Sequence, residues 1–509
     1  MQASTRSLTA DFTHFQPADT APPAPIPQLP DAAARLAALT AQVTADLAMM
    51  GYATKPWVLP RAHLGQVVPD VVIIGAGQSG LALGHMLKRR GVTNVLLLDR
   101  NPAGYEGVWD TYARNYEIRS PKTITGLELG IPSLTVQSWF VALHGQAAWD
   151  ALTRVPRAHW MDYLRWYRQI ADLNIRNDIN VMDIAYDADG VTLTLQDGAQ
   201  VRTRYVVLAT GMEGGGNWVV PDFIRNALPA DRYNHSCEAF DASRFAGKDI
   251  GVLGAGASAF DATVAALDAG AASVQTFMRR PAISVLDLVR EFENGGFLDH
   301  AHALSDETKW ELGLFLSGLS QAPAEHHFYR ALAFANFRFH SGAPWLDVRM
   351  DGDRIAVTTP KGSFHFDHLI TATGVTTNMM LRPELHRLAA DALLWRDRFT
   401  PPDGNTASAR LNFPYLDDYY RFQPKTAGAA PGIDRIFAFN ALAMPSMGGL
   451  AAVSISSHRF GTARLASGLT RALFLDQEAE LIPTLAQVDT PCITLTPYAR
   501  EMLGMLDCD

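Results

Sequence analysis

The chain has 509 residues, of which 48% are apolar and 19% are charged, and its formal net charge is −9 at pH 7. This length allows two or three hydrophobic cores, and the composition is that of a globular α/β protein rather than a disordered or fibrous one. An acidic chain without a long run of Lys or Arg has no electrostatic footprint for nucleic acid or anionic lipid, so small-molecule chemistry is favoured.

The N-terminal region is predicted to be an extension, residues 1–65, that precedes the first domain. Residues 18–30 are too rich in proline for a helix or a strand and should form an extended arm. Residues 31–50 carry apolar side chains at helical spacing, and Gly51 stands where a helix cap is expected. No signal-peptide pattern begins the sequence, and apolar runs elsewhere are broken before membrane-spanning length. We therefore expect a cytoplasmic protein without a membrane partner.

A first glycine-rich turn follows. Residues 70–80 form an apolar strand that passes into three glycines and then a helix-like segment. Gly75 allows the tight turn, Gly77 lets a pyrophosphate approach the backbone, and Gly80 lets the helix pack closely on the strand. The helix N-terminus then faces the phosphates and stabilises their charge. This pattern predicts a dinucleotide site.

The strand after this turn ends in an acid. Residues 94–99 finish at Asp99, 24 positions after Gly75. A carboxylate here accepts both hydroxyls of an adenosine ribose and rejects a 2′-phosphate. Strand, helix, second strand and acid together favour a nucleotide site over a structural glycine loop.

The turn returns at residues 249–259, with Gly254, Gly256 and Ala259 in the three key places and Ser258 between the last two. Alanine is an accepted variant of the third glycine. The pattern predicts a second dinucleotide site.

This second site ends differently. Counting 24 positions from Gly254 reaches Met278, and the next residues are Arg279 and Arg280. A guanidinium offers two aligned donors to a phosphate, so this end suits the 2′-phosphate of NADPH. The alternative is that both arginines are solvated charges at a strand end.

Three other features are predicted to be structural. Residues 160–170 place aromatic side chains at helical spacing, which indicates a helix packed in the core. His326 and His327 are adjacent and point apart on a helix, so surface positions are preferred to a metal site, and no metal is expected. The three cysteines, Cys237, Cys492 and Cys508, include no C-x-x-C pair, which excludes dithiol–disulfide reductases.

Two further strands place both turns in one architecture. Residues 205–211 and 367–374 each end in Ala-Thr-Gly. With the two turns they resemble the two-dinucleotide-binding flavoproteins, in which such strands return the chain between an FAD domain and an inserted NADPH domain. Within that class, Gly107-Val-Trp109, Ser120-Pro-Lys122 and His235-Ser236 are similar to the class B flavoprotein monooxygenases: the flavin-containing and the Baeyer–Villiger monooxygenases.

The sequence departs from both subfamilies. Aligned on His235, the positions of Phe, Gly and Trp in the Baeyer–Villiger signature hold Pro229, Asp231 and Ala239. The flavin-side Asp of those enzymes falls at Ser120, and the Asn of many flavin-containing monooxygenases falls at Arg119.

The resemblance covers about residues 66–475 and implies an α/β fold with two Rossmann-like domains, the NADPH domain inserted in the FAD domain, and an N-terminal helical extension. The expected boundaries are: FAD domain 66–225 and 371–475, NADPH domain 226–370 with a helical insert at about 281–344, and C-terminal tail 476–509. The insert contains a predicted helix at 305–319 and is expected to cover the active site in this architecture. Gly448 and Gly449 are expected to open a helix through Ser454, His458 and Arg459 that approaches the flavin.

The expected cofactors are FAD and NADPH, and the expected partners are O₂ and a small organic substrate; a homo-oligomer is compatible with the sequence. The predicted cofactor-binding residues are Gly75, Gly77, Gly80, Asp99, Gly107, Trp109, Thr210, Gly211, Gly254, Gly256, Ser258, Ala259, Arg279, Arg280, Thr373, Gly374 and Asn440.

The chemistry implied is hydride transfer from NADPH to FAD, formation of a C4a-(hydro)peroxyflavin, and transfer of one oxygen atom to a substrate. Arg119 or Arg290 is the candidate for a charge beside the peroxide, with a structural ion pair as the alternative. Because the Baeyer–Villiger signature is missing, oxygenation of a soft N or S atom is expected. Ketone oxygenation, an NADPH:acceptor reductase or oxidase, and a nucleotide-binding redox sensor are the alternatives.

Overall fold

The computed structural model describes residues 24–51, 55–123, 126–286, 288–319, 322–449 and 454–504. Cys508 and the part of the N-terminal arm before residue 24 lie outside these ranges. The described end of the arm has no regular structure and is held on the first domain. There Leu29 N donates to Leu143 O at 2.8 Å, and the ring of His144 makes a 3.0 Å hydrogen bond with Pro27 O.

A five-stranded parallel sheet forms the centre of the first domain. Its strands are, in spatial order, Ile436–Ala438, Tyr205–Leu208, Val71–Ile74, Val95–Leu98 and Asn174–Arg176. The three central strands are almost completely buried because helices and a second layer cover both faces of the sheet. The strand Ile436–Ala438 joins this sheet from a distant part of the sequence, so the first domain is discontinuous.

A second five-stranded parallel sheet forms the centre of the second domain. Its strands are, in spatial order, Tyr233–His235, His368–Thr371, Asp249–Leu253, Ser273–Phe277 and Phe337–His340. The antiparallel pair Gly216–Trp218 and Val375–Thr377 joins the two domains where the chain leaves the first and returns to it. The predicted fold class, one Rossmann-like domain inserted in another, is confirmed.

Strands of smaller antiparallel sheets flank these two sheets. They are Val181–Asp187, Gly190–Leu195 and Gln200–Thr203 beside the first sheet; Asp347–Asp351, Arg354–Thr359 and Gly362–Phe366 beside the second; and the pairs Glu117–Pro121 with Arg154–Pro156 and Ala62–His63 with Gln66–Val67.

The helices surround both sheets. Their bounds are Ala32–Met49, Gln78–Arg89, Val136–His144, Gln146–Ala151, Arg157–Ala171, Asp222–Arg225, Ala257–Asp268, Leu288–Phe292, Gly295–His300, Asp306–Leu319, Glu325–Leu332, His386–Asp391, Trp395–Arg398, His458–Leu475, Leu481–Ala486 and Pro497–Met502. None of the helices in the described ranges is both long enough and apolar enough to cross a bilayer.

Two helices predicted from periodicity are confirmed. The helix Ala32–Met49 ends as expected, because Gly51 takes a φ of +68° and donates its N–H to Ala48 O at 3.1 Å. The helix Arg157–Ala171 buries its aromatic side chains in the core of the first domain. Its aromatic face is therefore a packing surface.

The insert, residues 281–344, packs on the C-terminal part of the first domain. Trp310 is buried in a cluster with Trp395, Phe399 and Leu411, all from that part of the chain. These contacts fix the helix Asp306–Leu319, which matches the predicted 305–319 helix, across the domain boundary.

Two expectations were wrong. His327 is buried rather than on the surface, because the helix Glu325–Leu332 packs on the helix Ala257–Asp268, where the His327 ring makes a 2.5 Å hydrogen bond with Asp261 Oδ1. The last long helix begins at His458 and not at the glycine pair. A turn precedes it, in which Ser454 O accepts from His458 Nδ1 at 2.7 Å.

Candidate functional site

A cavity of about 760 Å³ opens at the carboxyl ends of the first sheet's central strands. Open α/β sheets bind their ligands at this edge, and the volume is within the usual range for small-molecule sites. The predicted cofactor-binding residues that line it are Gly75, Gly77, Asp99, Gly107, Trp109, Thr210 and Gly211.

The glycines of the first turn leave no room for side chains. A Cβ on Gly75, whose φ is +102°, would lie 2.5 Å from Ala209 O, and one on Gly80 would lie 1.9 Å from Gly75 O. A Cβ on Gly77 would lie 3.3 Å from Gly107 Cα, between two backbone segments that line the cavity. The helix Gln78–Arg89 starts at this point. The resulting cradle fits the pyrophosphate of a dinucleotide.

The carboxylate of Asp99 is held in place by two backbone donors. Its Oδ2 accepts from Ala76 N at 2.7 Å and its Oδ1 accepts from Asn101 N at 2.8 Å. Burial raises the pKa of Asp99, and these two hydrogen bonds oppose the rise. Each oxygen keeps a lone pair for a ribose hydroxyl, so the geometry fits the adenosine end of FAD.

Asn440 reaches the cavity through Thr210. The fully buried Asn440 donates from Nδ2 to Thr210 Oγ1 at 2.9 Å, and its Oδ1 accepts from Leu442 N at 3.0 Å. The amide therefore orients the end of the strand Tyr205–Leu208, and Thr210 is the residue of this pair that faces the cavity.

Several cavity residues were missed by the sequence reasoning, including Tyr112, Glu213 and Arg382. Glu213 forms an ion pair with Arg100 across the cavity. Burial raises the pKa of Glu213, while Arg100 and Arg382 oppose the rise. The sequence indicates that Arg100 lies near the site, because it directly follows Asp99. Its ion pair with Glu213 is visible only in the folded chain.

The second glycine turn forms a separate, open cradle on the second domain. Gly254 has a φ of +128°, and a Cβ there would lie 2.5 Å from Ala372 O. Gly256 precedes the helix Ala257–Asp268, whose first turn holds Ser258 and Ala259. This arrangement repeats that of the first turn.

The remaining predicted residues of the second site lie at the ends of neighbouring strands. Arg279 is exposed after the strand Ser273–Phe277, whereas Arg280 donates to Ser317 O of the insert at 3.3 Å. Thr373 donates to Val219 O at 3.3 Å, and Gly374 has a φ of +83°. Of these two arginines, Arg279 is the exposed one.

The two arginines predicted to be catalytic lie away from the 760 Å³ cavity, whose described lining includes neither. Arg119 is half-buried on the strand Glu117–Pro121 and donates from Nη1 to Ala322 O at 2.9 Å. Arg290 is exposed on the helix Leu288–Phe292. Both are therefore associated with the insert.

The insert also contacts the start of the last long helix. Ser456, in the turn before His458, donates to Glu293 Oε1 at 3.0 Å. A Cβ on Gly448 would lie 2.4 Å from Ala301 Cβ, so the insert and the glycine pair are in close contact. These contacts place the insert over one end of the first domain's C-terminal part.

Comparisons with known proteins agree with this architecture. The sequence profile of the pyridine nucleotide-disulphide oxidoreductases matches residues 72–288, which contain both glycine turns. The chain is 42% identical over 449 residues to the FAD-dependent urate hydroxylase of Xanthomonas campestris pv. campestris, covering 88% of this chain and 95% of that protein. It is 29% identical over 230 residues to indole-3-pyruvate monooxygenase YUCCA6 of Arabidopsis thaliana, covering 44% of this chain and 49% of that protein.

Solved structures share the fold at low sequence identity. Ornithine hydroxylase from Pseudomonas aeruginosa superposes with a TM-score of 0.63 at 18% identity, over 80% of this chain and 100% of that one. Ornithine N-hydroxylase from Kutzneria sp. 744, with reduced FAD, NADP⁺ and L-ornithine, gives a TM-score of 0.62 at 16% identity, over 80% of this chain and 99% of that one.

Proposed function

The chain belongs to the class B type of FAD-dependent monooxygenases, as its motifs predict, and we propose that it uses NADPH and O₂ to hydroxylate urate or a closely related oxidised purine. The observation that carries this proposal is the 42% identity to a urate hydroxylase along nearly the whole of both chains. The match is long enough to span the insert.

The first domain supplies the flavin site. The cradle at Gly75, Gly77 and Gly80 accepts the pyrophosphate, and Asp99 accepts the ribose hydroxyls. When bound, the flavin accepts a hydride and then activates oxygen, chemistry that belongs to the cofactor. The protein has to orient the reactants and keep water away from them.

The second domain supplies the coenzyme site. Its cradle at Gly254 and Gly256 accepts a second pyrophosphate, and the exposed Arg279 directly follows Met278, which occupies the position of the ribose-binding acid. The paired donors of a guanidinium match two of the terminal oxygens of a 2′-phosphate. NADPH is therefore the proposed hydride donor.

The insert is proposed to cover the reacting end of the site. It meets the last long helix through Ser456 and Glu293, and Asp299 Oδ1 accepts from Arg464 at 2.6 Å. The half-buried Arg119 meets the insert at another point, where it donates to Ala322 O. A cover at this point would exclude water from the reaction.

Arg119 and Arg290 remain the proposed cations for this end of the site. A planar, electron-rich purine with several carbonyl oxygens suits a guanidinium, which is itself planar and carries paired donors. Oxygenation of an N or S atom stays a prediction. Determining the structure of the product distinguishes it from hydroxylation at carbon.

The test is a substrate screen of the purified enzyme. Urate should stimulate NADPH consumption. In ordinary O₂ the product should be 16 mass units heavier than urate, or be the hydrolysis product of that compound. In a parallel reaction under ¹⁸O₂ the product should carry the label. Hypoxanthine, a thioether and a primary amine serve as comparison substrates. Stimulation by the thioether or the amine, but by no purine, would replace the proposed substrate class with the soft-heteroatom one.

A further inference from the structure

Residues 114–116, which we call the interdomain strap, belong to the first domain, but each of their side chains binds the second. Arg114 donates from Nη1 to Ser236 O and from Nη2 to Glu238 O, the latter at 2.6 Å. Its guanidinium carbon lies 3.9 Å from the centroid of the Phe240 ring. One side chain thus holds the whole 236–240 loop by two carbonyls and a cation–π contact.

The other two side chains of the strap reach the dinucleotide helix of the second domain. The side-chain amide of Asn115 faces the carboxylate of Asp261, and with its nitrogen turned to that side it donates to both carboxylate oxygens. Tyr116 donates to Asp268 Oδ2 at 2.7 Å, and its ring packs edge-on against His327 with the centroids 4.5 Å apart. Both carboxylates lie on the helix Ala257–Asp268, which begins at the second cradle.

The strap is fixed on its own domain by Arg157. The Arg157 backbone N–H donates to Tyr116 O at 2.8 Å, and its Nε donates to Asn115 O at 3.2 Å. The same guanidinium donates to the carbonyl of Trp109, which lines the flavin cavity. A single arginine therefore couples the strap to the cavity wall.

The flavin cavity has walls from both domains, and the strap lies between them. Gly107 to Tyr112 line it from the first domain, and Cys237, Glu238 and Ala239 line it from the second. Interfaces between domains in one chain are usually polar and allow relative motion unless specific contacts prevent it. Here three consecutive side chains provide such contacts.

We infer that the interdomain strap fixes the second cradle relative to the first, so that a nicotinamide held by the second domain lies within hydride-transfer distance of the flavin. Arg114, Asn115 and Tyr116 are positioning residues, because none of them has to touch either nucleotide. The inference rests on the proposed use of NADPH and does not depend on the proposed substrate. A displacement of about 1 Å between reacting groups can slow a reaction roughly a hundredfold.

Arg114→Ala tests the inference, with Arg387→Ala as its matched control. Arg387 also stacks on an aromatic ring, that of Tyr186 at 4.3 Å, and donates to the Tyr186 carbonyl at 2.8 Å. Arg387 and Tyr186 both lie in the first domain, so this contact does not cross the domain boundary. Both variants should keep their FAD and bind NADP⁺ within about threefold of the wild type. Anaerobic flavin reduction by NADPH should fall by about tenfold or more in Arg114→Ala alone, and Arg114→Lys should recover part of the rate.

Hydrogen–deuterium exchange of the FAD-loaded enzyme, without coenzyme, gives a second readout. Peptides covering 236–240 should exchange faster in Arg114→Ala and remain unchanged in Arg387→Ala. Tyr116→Phe removes only the hydrogen bond to Asp268. It should also speed exchange and slow flavin reduction, by less than Arg114→Ala does. If Arg114→Ala does not fold, Tyr116→Phe takes its place in the test. An unchanged reduction rate or unchanged exchange in both strap variants would overturn the inference. Because exchange needs no NADPH and reduction needs no purine, failure of the proposed coenzyme or substrate is distinguishable from failure of the strap.

Discussion

The ring of His458, at the start of the last long helix, makes a 2.8 Å hydrogen bond through Nε2 with Ser79 Oγ in the first dinucleotide-binding helix. Both side chains are buried, and Nδ1 of the same ring donates to Ser454 O at 2.7 Å. With Nδ1 as the donor, Nε2 accepts from the serine hydroxyl. This relationship joins two helices 379 positions apart in the sequence and sets the Nδ1–H tautomer of the neutral imidazole.

This pair predicts a loss of stability in acid. Burial lowers the pKa of His458 to about 4, against 6.5 for a free histidine. The unfolded chain therefore takes up a proton at a higher pH than the native protein, and unfolding becomes easier as pH falls from about 6.5 towards 4. For one such histidine the free energy of unfolding should fall by about 2 kcal/mol between pH 6.5 and 4.5.

Urea titrations followed by circular dichroism at several pH values measure this effect. His458→Gln should be less stable than the wild type at pH 7 by about 1–3 kcal/mol, because Ser79 loses its buried partner. It should also lose less stability in acid. The same substitution at the exposed His63 provides the control. Parallel pH curves for His458→Gln and the wild type would contradict the prediction.

The first cradle predicts flavin loss on substitution of Gly77. Gly77→Asp places a carboxylate between Gly107 and the pyrophosphate site, where it repels the phosphates and fills the space left by the missing side chain. The purified variant should be colourless, whereas the wild type should carry about one FAD per chain. Gly318→Asp, on an exposed helix position with open space around it, should remain yellow. A Gly77→Asp protein that carries its full amount of FAD would show that the first turn is not the FAD site.

Coenzyme selection should depend mainly on Arg279. Removal of a charge-assisted contact to a 2′-phosphate costs about 1.5–3 kcal/mol, or roughly tenfold to over a hundredfold in affinity. Arg279→Ala should raise the KM for NADPH and leave that for NADH nearly unchanged. Arg280→Ala should have a smaller effect, since Arg280 already bonds to Ser317 O, and the double variant should show the largest.

Steady-state kinetics with both coenzymes check this selection. Arg338→Ala is the control, because Arg338 is an exposed arginine of the same domain that donates to the nearby carbonyls of Ala335 and Phe337. Equal losses with NADPH and NADH in the Arg279 variant would mean that the arginines have a structural role.

Removal of Arg119 should affect the oxygen half of the reaction. Arg119→Ala should keep its FAD and its anaerobic reduction within a few-fold, because the residue lies beside the insert and outside the described lining of the nucleotide cavity. Less product and more H₂O₂ should form for each NADPH consumed, because a positive charge beside the reacting oxygen is lost and the insert is less firmly seated.

Peroxide yield and product yield, measured together, test this effect. Arg119→Lys keeps the charge but not the paired donors, so its coupling should lie between those of the wild type and Arg119→Ala. Unchanged coupling in both variants would identify Arg119 as a structural residue of the insert junction.

The sequence by itself determined the fold class and the positions of the two glycine turns. A strand, a glycine turn and a helix lie next to one another in the chain, so their pattern is visible without the fold. The same holds for Asp99 and Arg279, whose positions follow from the spacing after each turn, and for helices with strong periodicity, such as Arg157–Ala171.

The tertiary structure decided everything that depends on segments far apart in the sequence. The burial of His327 required the packing of two helices of the second domain, and the ion pair of Glu213 with Arg100 required two strand ends to meet. The hydrogen bond between His458, the first residue of the last long helix, and Ser79 likewise required distant segments to meet. Periodicity and spacing report only on near neighbours, whereas these side chains obtain their burial and partners from contacts that form when the chain folds.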